Sequence, residues 1–387
     1  MDRKTVNSWI AVNEPVIGEE EISNVLDCLK TGWISSAGKY IETFENLWAQ
    51  ACGVQHGIAV SNGTVALELA IQALDLKPGD EVIMPTFTII SCAIAVVAIG
   101  AIPVLVDCDP VTGCMDVNQI KDRITSRTRA IMPVHIYGHP VDMDPVIAMA
   151  HEHGLIVIED AAEVHGAEYL SKRGTSSQVW RPCGGIGDLA TFSFFANKLI
   201  TTGEGGMVVT NNSVLAEKMR GLRNLCFRSD RRFYHTDLGH NYRFTNLQAA
   251  LGVAQVARLP QIISRKREIA ERYTLRLAKL AGLELPKEKS WARSVYWVYG
   301  LLLDDQLGFD AVEMSKRLKS KGVETRPYFL GMHEQPALHE RGLFISERYP
   351  VAERWARRGF YIPAGLAITN SQIDQVCEAI AVSLCES

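Results

Sequence analysis

The chain has 387 residues, is 47% apolar and 22% charged, and carries a formal charge of −4 without a long basic run. That length exceeds what one hydrophobic core organises, so two domains are expected. The charge pattern argues against a nucleic-acid partner, whose phosphates require clustered Lys and Arg, and no apolar run is long enough to span a bilayer.

Met1 to Pro15 has no apolar segment ahead of a cleavage site, which points to a cytoplasmic protein. Ile22, Val25, Leu26 and Leu29 then recur at helical spacing, with Gly32 as the stop. A second helical stretch follows, then a short strand over Gly57 to Val60, the turn Ser61-Asn62-Gly63-Thr64, and a helix over Val65 to Leu74. Glu81 to Pro85, Thr88 to Ile99 and Val104 to Asp107 predict strand, helix and strand. The unit repeats: Ala130 to Val134 is a strand, Asp144 caps a helix with Pro145 in its first turn and Gly154 as its stop, and Leu155 to Glu159 is the next strand. This alternation predicts an α/β protein with a mostly parallel sheet covered on both faces. Ser171 to Gly185 is polar and expected at the surface.

Thr245 and Gln248 have capping-box spacing for a helix to Ala257, and Pro260 opens a long helix through Leu280. Ser294 to Leu303 and Val323 to Pro327 are expected to be extended, with helices over Asp310 to Lys321 and Ser371 to Leu384. The expected division is a large domain over 1–257 and a smaller αβ domain over 258–387 that includes the linking helix. Nine cysteines, scattered singly, are expected to be reduced and mostly core-filling, and no metal site is expected.

Three places can carry chemistry. Asp160 follows a buried strand and should stand at the carboxyl edge of the sheet, where α/β proteins bind ligands; taken alone, an Asp there is more often a turn or helix cap. The turn at 61–64 aims free N–H groups and a helix dipole outward, which suits a phosphate dianion, or it is a plain strand-to-helix turn. Lys198 follows the aromatic run Thr191 to Phe195 and precedes Gly203-Glu204-Gly205-Gly206. An amine held against apolar walls loses its proton readily, and a neutral amine attacks an aldehyde; the plainer alternative is a surface lysine at a hairpin. Together they supply a phosphate cradle, an acid and an amine, the set that holds pyridoxal phosphate.

With Thr31-Gly32-Trp33-Ile34-Ser35-Ser36, Glu159-Asp160-Ala161-Ala162-Glu163, Asn241-Tyr242-Arg243-Phe244-Thr245-Asn246 and Glu324-Thr325-Arg326-Pro327 added, nearly the whole chain resembles the DegT/DnrJ family of sugar aminotransferases. The resemblance implies the aspartate aminotransferase-like fold of the type I pyridoxal-phosphate enzymes. It also implies that Lys198 forms the Schiff base, that Asp160 pairs with the pyridine nitrogen, and that Glu163 lies near the ring hydroxyl. Asn62, Gly63, Thr64 and Ser193 would surround the phosphate. A homodimer with shared active sites is implied too, Asn241 reaching the phosphate of the partner. The open face of the ring, usually covered by an aromatic residue, falls to Ile89, with Phe87 as the alternative two residues away.

Within the family the motifs look most like members that aminate C4 of GDP-4-keto-6-deoxymannose to GDP-perosamine. Glutamate is the donor there, and pyridoxamine phosphate links the two half-reactions. Trp33, Ser35, Arg326 and His333 are the expected contacts for the nucleotide sugar, a guanidinium suiting a diphosphate. A dTDP- or UDP-linked 4-keto-6-deoxy sugar is the alternative substrate. A sugar dehydratase on the same scaffold would carry histidine where Lys198 stands, and a non-catalytic cofactor-binding protein would keep the site without turnover. A nicotinamide dehydrogenase would show G-x-G-x-x-G after the first strand, where Ser61-Asn62-Gly63-Thr64 occurs instead.

Overall fold

A computed structural model describes residues 9–228 and 230–386; residues 1–8 of the segment read above for a leader lie outside them. The chain opens with helices α1 (Glu19–Thr31) and α2 (Lys39–Ala51), then β1 (His56–Val60), α3 (Gly63–Ala73), β2 (Glu81–Pro85), α4 (Ser91–Ala98), β3 (Ile102–Val106) and β4 (Thr128–Ile131). Next come α5 (Met143–His153), β5 (Ile156–Asp160), β6 (Glu168–Ser171), β7 (Val179–Pro182), β8 (Leu189–Ser193), β9 (Gly206–Thr210), α6 (Ser213–Arg223) and α7 (Asn246–Ala257). The remainder is α8 (Leu259–Leu277), β10 (Leu283–Glu284), β11 (Ala292–Arg293), β12 (Tyr299–Leu303), α9 (Ala311–Ser320), β13 (Arg326–Pro327), α10 (Pro336–His339), α11 (Pro350–Arg358), β14 (Gly359–Ile362) and α12 (Asn370–Cys385).

Seven strands form the central sheet in the order β1-β9-β8-β5-β4-β2-β3. The pairs from β3 through β2, β4, β5 and β8 are all parallel, while β9 runs antiparallel to both β8 and β1. The expected mostly parallel sheet is therefore present. Every residue of β2 and β9 is buried, as a sheet covered on both faces requires. On one side α3 lies against β8 and β9; α2 packs against β1 and α7, and α1 against α7.

A second buried cluster joins Tyr273 and Leu277 of α8 to Tyr299, Leu301 and Leu303 of β12, Met314 of α9, Phe360 of β14 and Ile373 of α12. Its four-stranded antiparallel sheet has the order β10-β12-β14-β13. Segments cross between the two cores. Ile10 bridges Val323, and Ala364 N donates to the Val12 carbonyl, so the N-terminal arm lies on the C-terminal sheet. In return Val295, Trp297, Tyr328 and Trp355 pack into the first core.

Several boundaries depart from expectation. Asp142, not Asp144, is the residue ahead of α5; the Asp144 carboxylate instead accepts from Ser171 Oγ (2.8 Å) and Lys172 N (2.7 Å). The extended run expected from Ser294 begins only at Tyr299, because Tyr296 has a φ of 47° and turns the chain. Ser171 to Gly185 is the β6–β7 hairpin and its return; only the tip is exposed. Cys183 to Ile186 are buried, since Glu159 accepts from Gly184 N, Ile186 N and Gly187 N. The nine cysteines are free and seven of them are buried, as expected. Among the described residues no His, Cys, Asp or Glu cluster could hold a metal, and no helix is long and apolar enough to cross a membrane.

Two buried histidines set an acid limit. Burial lowers His139 to about 4 and His165 to about 3. Both lie below the unfolded value of about 6.5, so the unfolded chain binds more protons as pH falls through that window. Urea unfolding at a series of pH values should show stability intact above about 6.5 and declining steadily toward 3.

Candidate active site

The carboxyl ends of β5 and β8 and the amino end of α3 meet at one place. Asp160 is the last residue of β5 and pairs with Thr191 of β8, two residues before Ser193. Asp160 is 3% exposed; its Oδ1 accepts from Ala162 N (3.1 Å) and its Oδ2 from the Cys92 thiol (3.0 Å). Among the described residues the carboxylate accepts from these two neutral donors and pairs with no cation.

Asn62 caps α3, its Oδ1 accepting from Val65 N at 2.9 Å, and Gly63 and Thr64 form the first turn. Among the described residues none accepts from the Gly63 or Thr64 N–H, so these donors and the helix dipole are available to an anion. Glycine is required here by contact, since a Cβ on Gly63 would lie 2.7 Å from Ser193 Cβ. Thr64 Oγ1 also meets Ser91 Oγ, at 2.8 Å, which brings the start of α4 to the same corner. Gly63→Ala is expected to cost about 1–3 kcal/mol through overpacking. It should lower both the Tm and the phosphate-ligand content of purified protein.

Lys198 stands in the loop between β8 and β9, its backbone N–H donating to the Phe195 carbonyl at 2.9 Å. Its side chain is 10% exposed, and Nζ lies 3.5 Å from Glu163 Oε1 and 3.6 Å from the centroid of the Trp297 ring. Burial lowers the pKa of the amine, with Glu163 and Asp160 opposing. Burial likewise pushes the Glu163 carboxyl up to about 7, against the pull of Lys198 and of the Tyr137 N–H (2.7 Å to Oε2). Both members of this pair are driven toward their neutral forms, the state in which an amine is a nucleophile and base. Tyr137 holds its N–H on Glu163 from a left-handed conformation (φ 54°), local strain of the kind found at functional sites.

The other expected site residues are placed as follows. Ile89 is 45% exposed, whereas Phe87 is fully buried, its ring 5.6 Å from Trp355 and 5.9 Å from Tyr137. Phe87 is therefore not available to cover a ligand: residues 86–88 bend instead of continuing the strand, and the assumed alternation is lost. Asn241 is exposed and bridges Asn224; Trp33 and Ser35 are exposed on a loop held by Asn246, whose Nδ2 donates to the Trp33 carbonyl (2.7 Å). Arg326, half exposed, pairs with Glu324 at 2.7 Å and is in register with Tyr361, whose ring is 6.1 Å from that of Tyr137. His333 is a correction. It is 4% exposed, with Nδ1 at 2.7 Å from Thr86 Oγ1 and Nε2 at 3.3 Å from Glu353, so both ring nitrogens are committed internally.

Sequence reasoning missed Cys92, Trp297 and the buried pair His135–Glu159. His135 Nδ1 accepts from Val141 N, so Nε2 carries the proton and donates to Glu159 (3.0 Å). The backbone N–H of His135 donates to the Asp160 carbonyl, tying this pair to the strand end.

Comparison with known proteins bears on this geometry. GDP-perosamine synthase of Caulobacter vibrioides is 42% identical over 96% of this chain and 97% of its own length, and that of Escherichia coli O157:H7 is 40% identical over 96% and 98%. Among solved structures, the aminotransferase TlmJ from Streptoalloteichus hindustanus superposes with a TM-score of 0.88 at 30% identity, covering 97% of this chain and 98% of that one. DesI, solved in the presence of its TDP-sugar product, gives a TM-score of 0.86 at 31% identity, covering 97% and 93%. The model of the DegT/DnrJ/EryC1/StrS aminotransferases matches residues 15–381, and the chain belongs to that family.

Proposed function

We propose that this chain binds pyridoxal phosphate and moves the amino group of glutamate to C4 of GDP-4-keto-6-deoxymannose, forming GDP-perosamine. The observation that carries the reading is the buried Lys198 amine set against Glu163 and Asp160 at the carboxyl edge of the sheet. The kinship with GDP-perosamine synthases supports the substrate.

The anion-ready corner formed by Asn62, Gly63, Thr64 and Ser193 fits a phosphate, and Asp160 fits a protonated ring nitrogen. Bound there, the cofactor would supply an electron sink for the pair left when the donor Cα–H bond breaks. Asp160 would keep the ring nitrogen protonated. Lys198, as a free amine, would accept the proton from the donor Cα and supply one to C4 of the sugar in the second half. Glu163, 3.5 Å from Lys198 Nζ, would lie near the ring hydroxyl, and Ile89 would offer the open face of the ring an apolar contact. Trp33, Ser35 and Arg326 serve the nucleotide sugar, and Asn241 reaches the phosphate of the second copy in a cytoplasmic homodimer.

The test is a half-reaction. Protein converted to its pyridoxamine phosphate form is mixed with GDP-, dTDP- and UDP-linked 4-keto-6-deoxy sugars, and return of visible absorbance is followed. The GDP sugar should react fastest; a faster dTDP or UDP sugar would overturn the nucleotide assignment, and no return with any would overturn the transferase reading.

A further inference from the structure

Trp297 lies outside every motif used above, yet it touches the Lys198 loop in two ways. Its ring centroid is 3.6 Å from Lys198 Nζ, and its indole Nε1 donates to the Asn197 carbonyl at 2.7 Å. Asn13 Nδ2 donates to the same carbonyl at 2.6 Å, so the peptide just before Lys198 is held from two sides. The backbone of Trp297 is held in turn by Lys266 of α8. It is 4% exposed, and its Nζ donates to the Trp297 carbonyl (2.8 Å) and the Ala364 carbonyl (2.6 Å). Burial lowers this amine to about 7, and what its two bonds fix is the backbone at Trp297 and at Ala364, the backbone from which the indole projects.

We propose that Trp297, anchored by Lys266, is a positioning residue that stations the Lys198 amine: the indole face receives the amine whenever it is not bonded to a carbonyl carbon, and the indole N–H fixes the backbone that carries it. The ring quadrupole attracts a cation, so this face favours the charged form of an amine that burial pushes toward neutrality. The other groups acting on Nζ are Glu163 at 3.5 Å, Asp160, and His165, which burial and the Lys198 charge keep neutral. Trp297 therefore tunes how much neutral amine is present at a given pH and where it points. The proposal rests on Lys198 being the reacting amine.

The test uses the full-length protein, freed of bound carbonyl compounds with hydroxylamine, alongside Trp297→Phe, Trp297→Leu and Lys266→Met. Trace acetylation across a pH series, read by peptide mass spectrometry, gives the midpoint at which Lys198 becomes reactive. Removing the π face disfavours the charged amine, so Trp297→Leu should lower the midpoint by about one unit, a tenfold rise in neutral amine below it. Trp297→Phe, which keeps an aromatic face, should fall between Leu and wild type, and Lys266→Met should shift the same way by less. A purely structural tryptophan would alter the melting temperature while leaving the midpoint in place. An unmoved or raised midpoint in the Leu variant overturns the proposal, and if that variant does not fold, Phe and Lys266→Met decide by the same criterion. The reading needs no turnover. A shifted midpoint in a protein inert toward glutamate supports the station and sinks the transferase reading, while an unmoved midpoint in an active enzyme does the reverse.

Discussion

Replacing Lys198 by Ala is expected to lower amino transfer by about 10⁴-fold or more, the upper range for a positioned proton-transfer group, with the Schiff-base role lost as well. The side chain is largely enclosed, and among the described residues its polar and π contacts are the 3.5 Å approach to Glu163 and the Trp297 face. Unfolding should therefore stay cooperative, while Glu163, relieved of its cation, titrates higher. Steady-state rates and thermal melts on the same preparation check both halves of this expectation. A variant that retains turnover within tenfold would mean that another group supplies the amine.

Asp160→Asn is expected to have the next largest effect. The substitution keeps the size of the side chain and can still accept from Ala162 N, but it replaces a buried charge with a neutral amide. Losing one partner of a buried pair costs about 3–5 kcal/mol, which corresponds to about 10²–10⁴-fold in rate. The loss should appear in kcat more than in KM, because in the proposed function the carboxylate serves the ring and not the sugar. The thiol of Cys92 gives an internal check. Its S–H donates to Asp160 Oδ2, so the S–H stretching band in the infrared should shift when the acceptor changes from carboxylate to amide.

Much of this was legible in the sequence because it rests on local rules. The Thr245–Gln248 capping box, Gly32 as a left-handed helix stop, Gly154 as another, and the apolar strands ending at Asp160 each follow from chemistry within a few residues. The helices α6 and α11 were not among the expected elements although each buries a pair three residues apart, Ala216 and Met219 in α6 and Ala352 and Trp355 in α11; α6 is also announced by its Asn212 cap, which accepts from Val214 N and Leu215 N.

At the site the pattern is similar. Lys198, Asp160 and the turn at 62–64 are motif residues, whereas Trp297 and Cys92 reach the site only through contacts across about one hundred and about seventy residues of chain, beyond any local rule. Two expectations meet a physical obstacle: Phe87, the alternative to Ile89, depends on a strand alternation that a bend abolishes, and both nitrogens of His333 are engaged by Thr86 and Glu353.

The central claim is that Lys198 and Asp160 serve one pyridoxal ring, and the bond to Lys198 can be trapped. Borohydride reduction of the purified protein, followed by peptide mapping, should find the phosphopyridoxyl group on Lys198 alone, with far less trapped in Asp160→Asn. A phosphopyridoxyl group on a different lysine, or full occupancy with none attached to Lys198, would contradict the account.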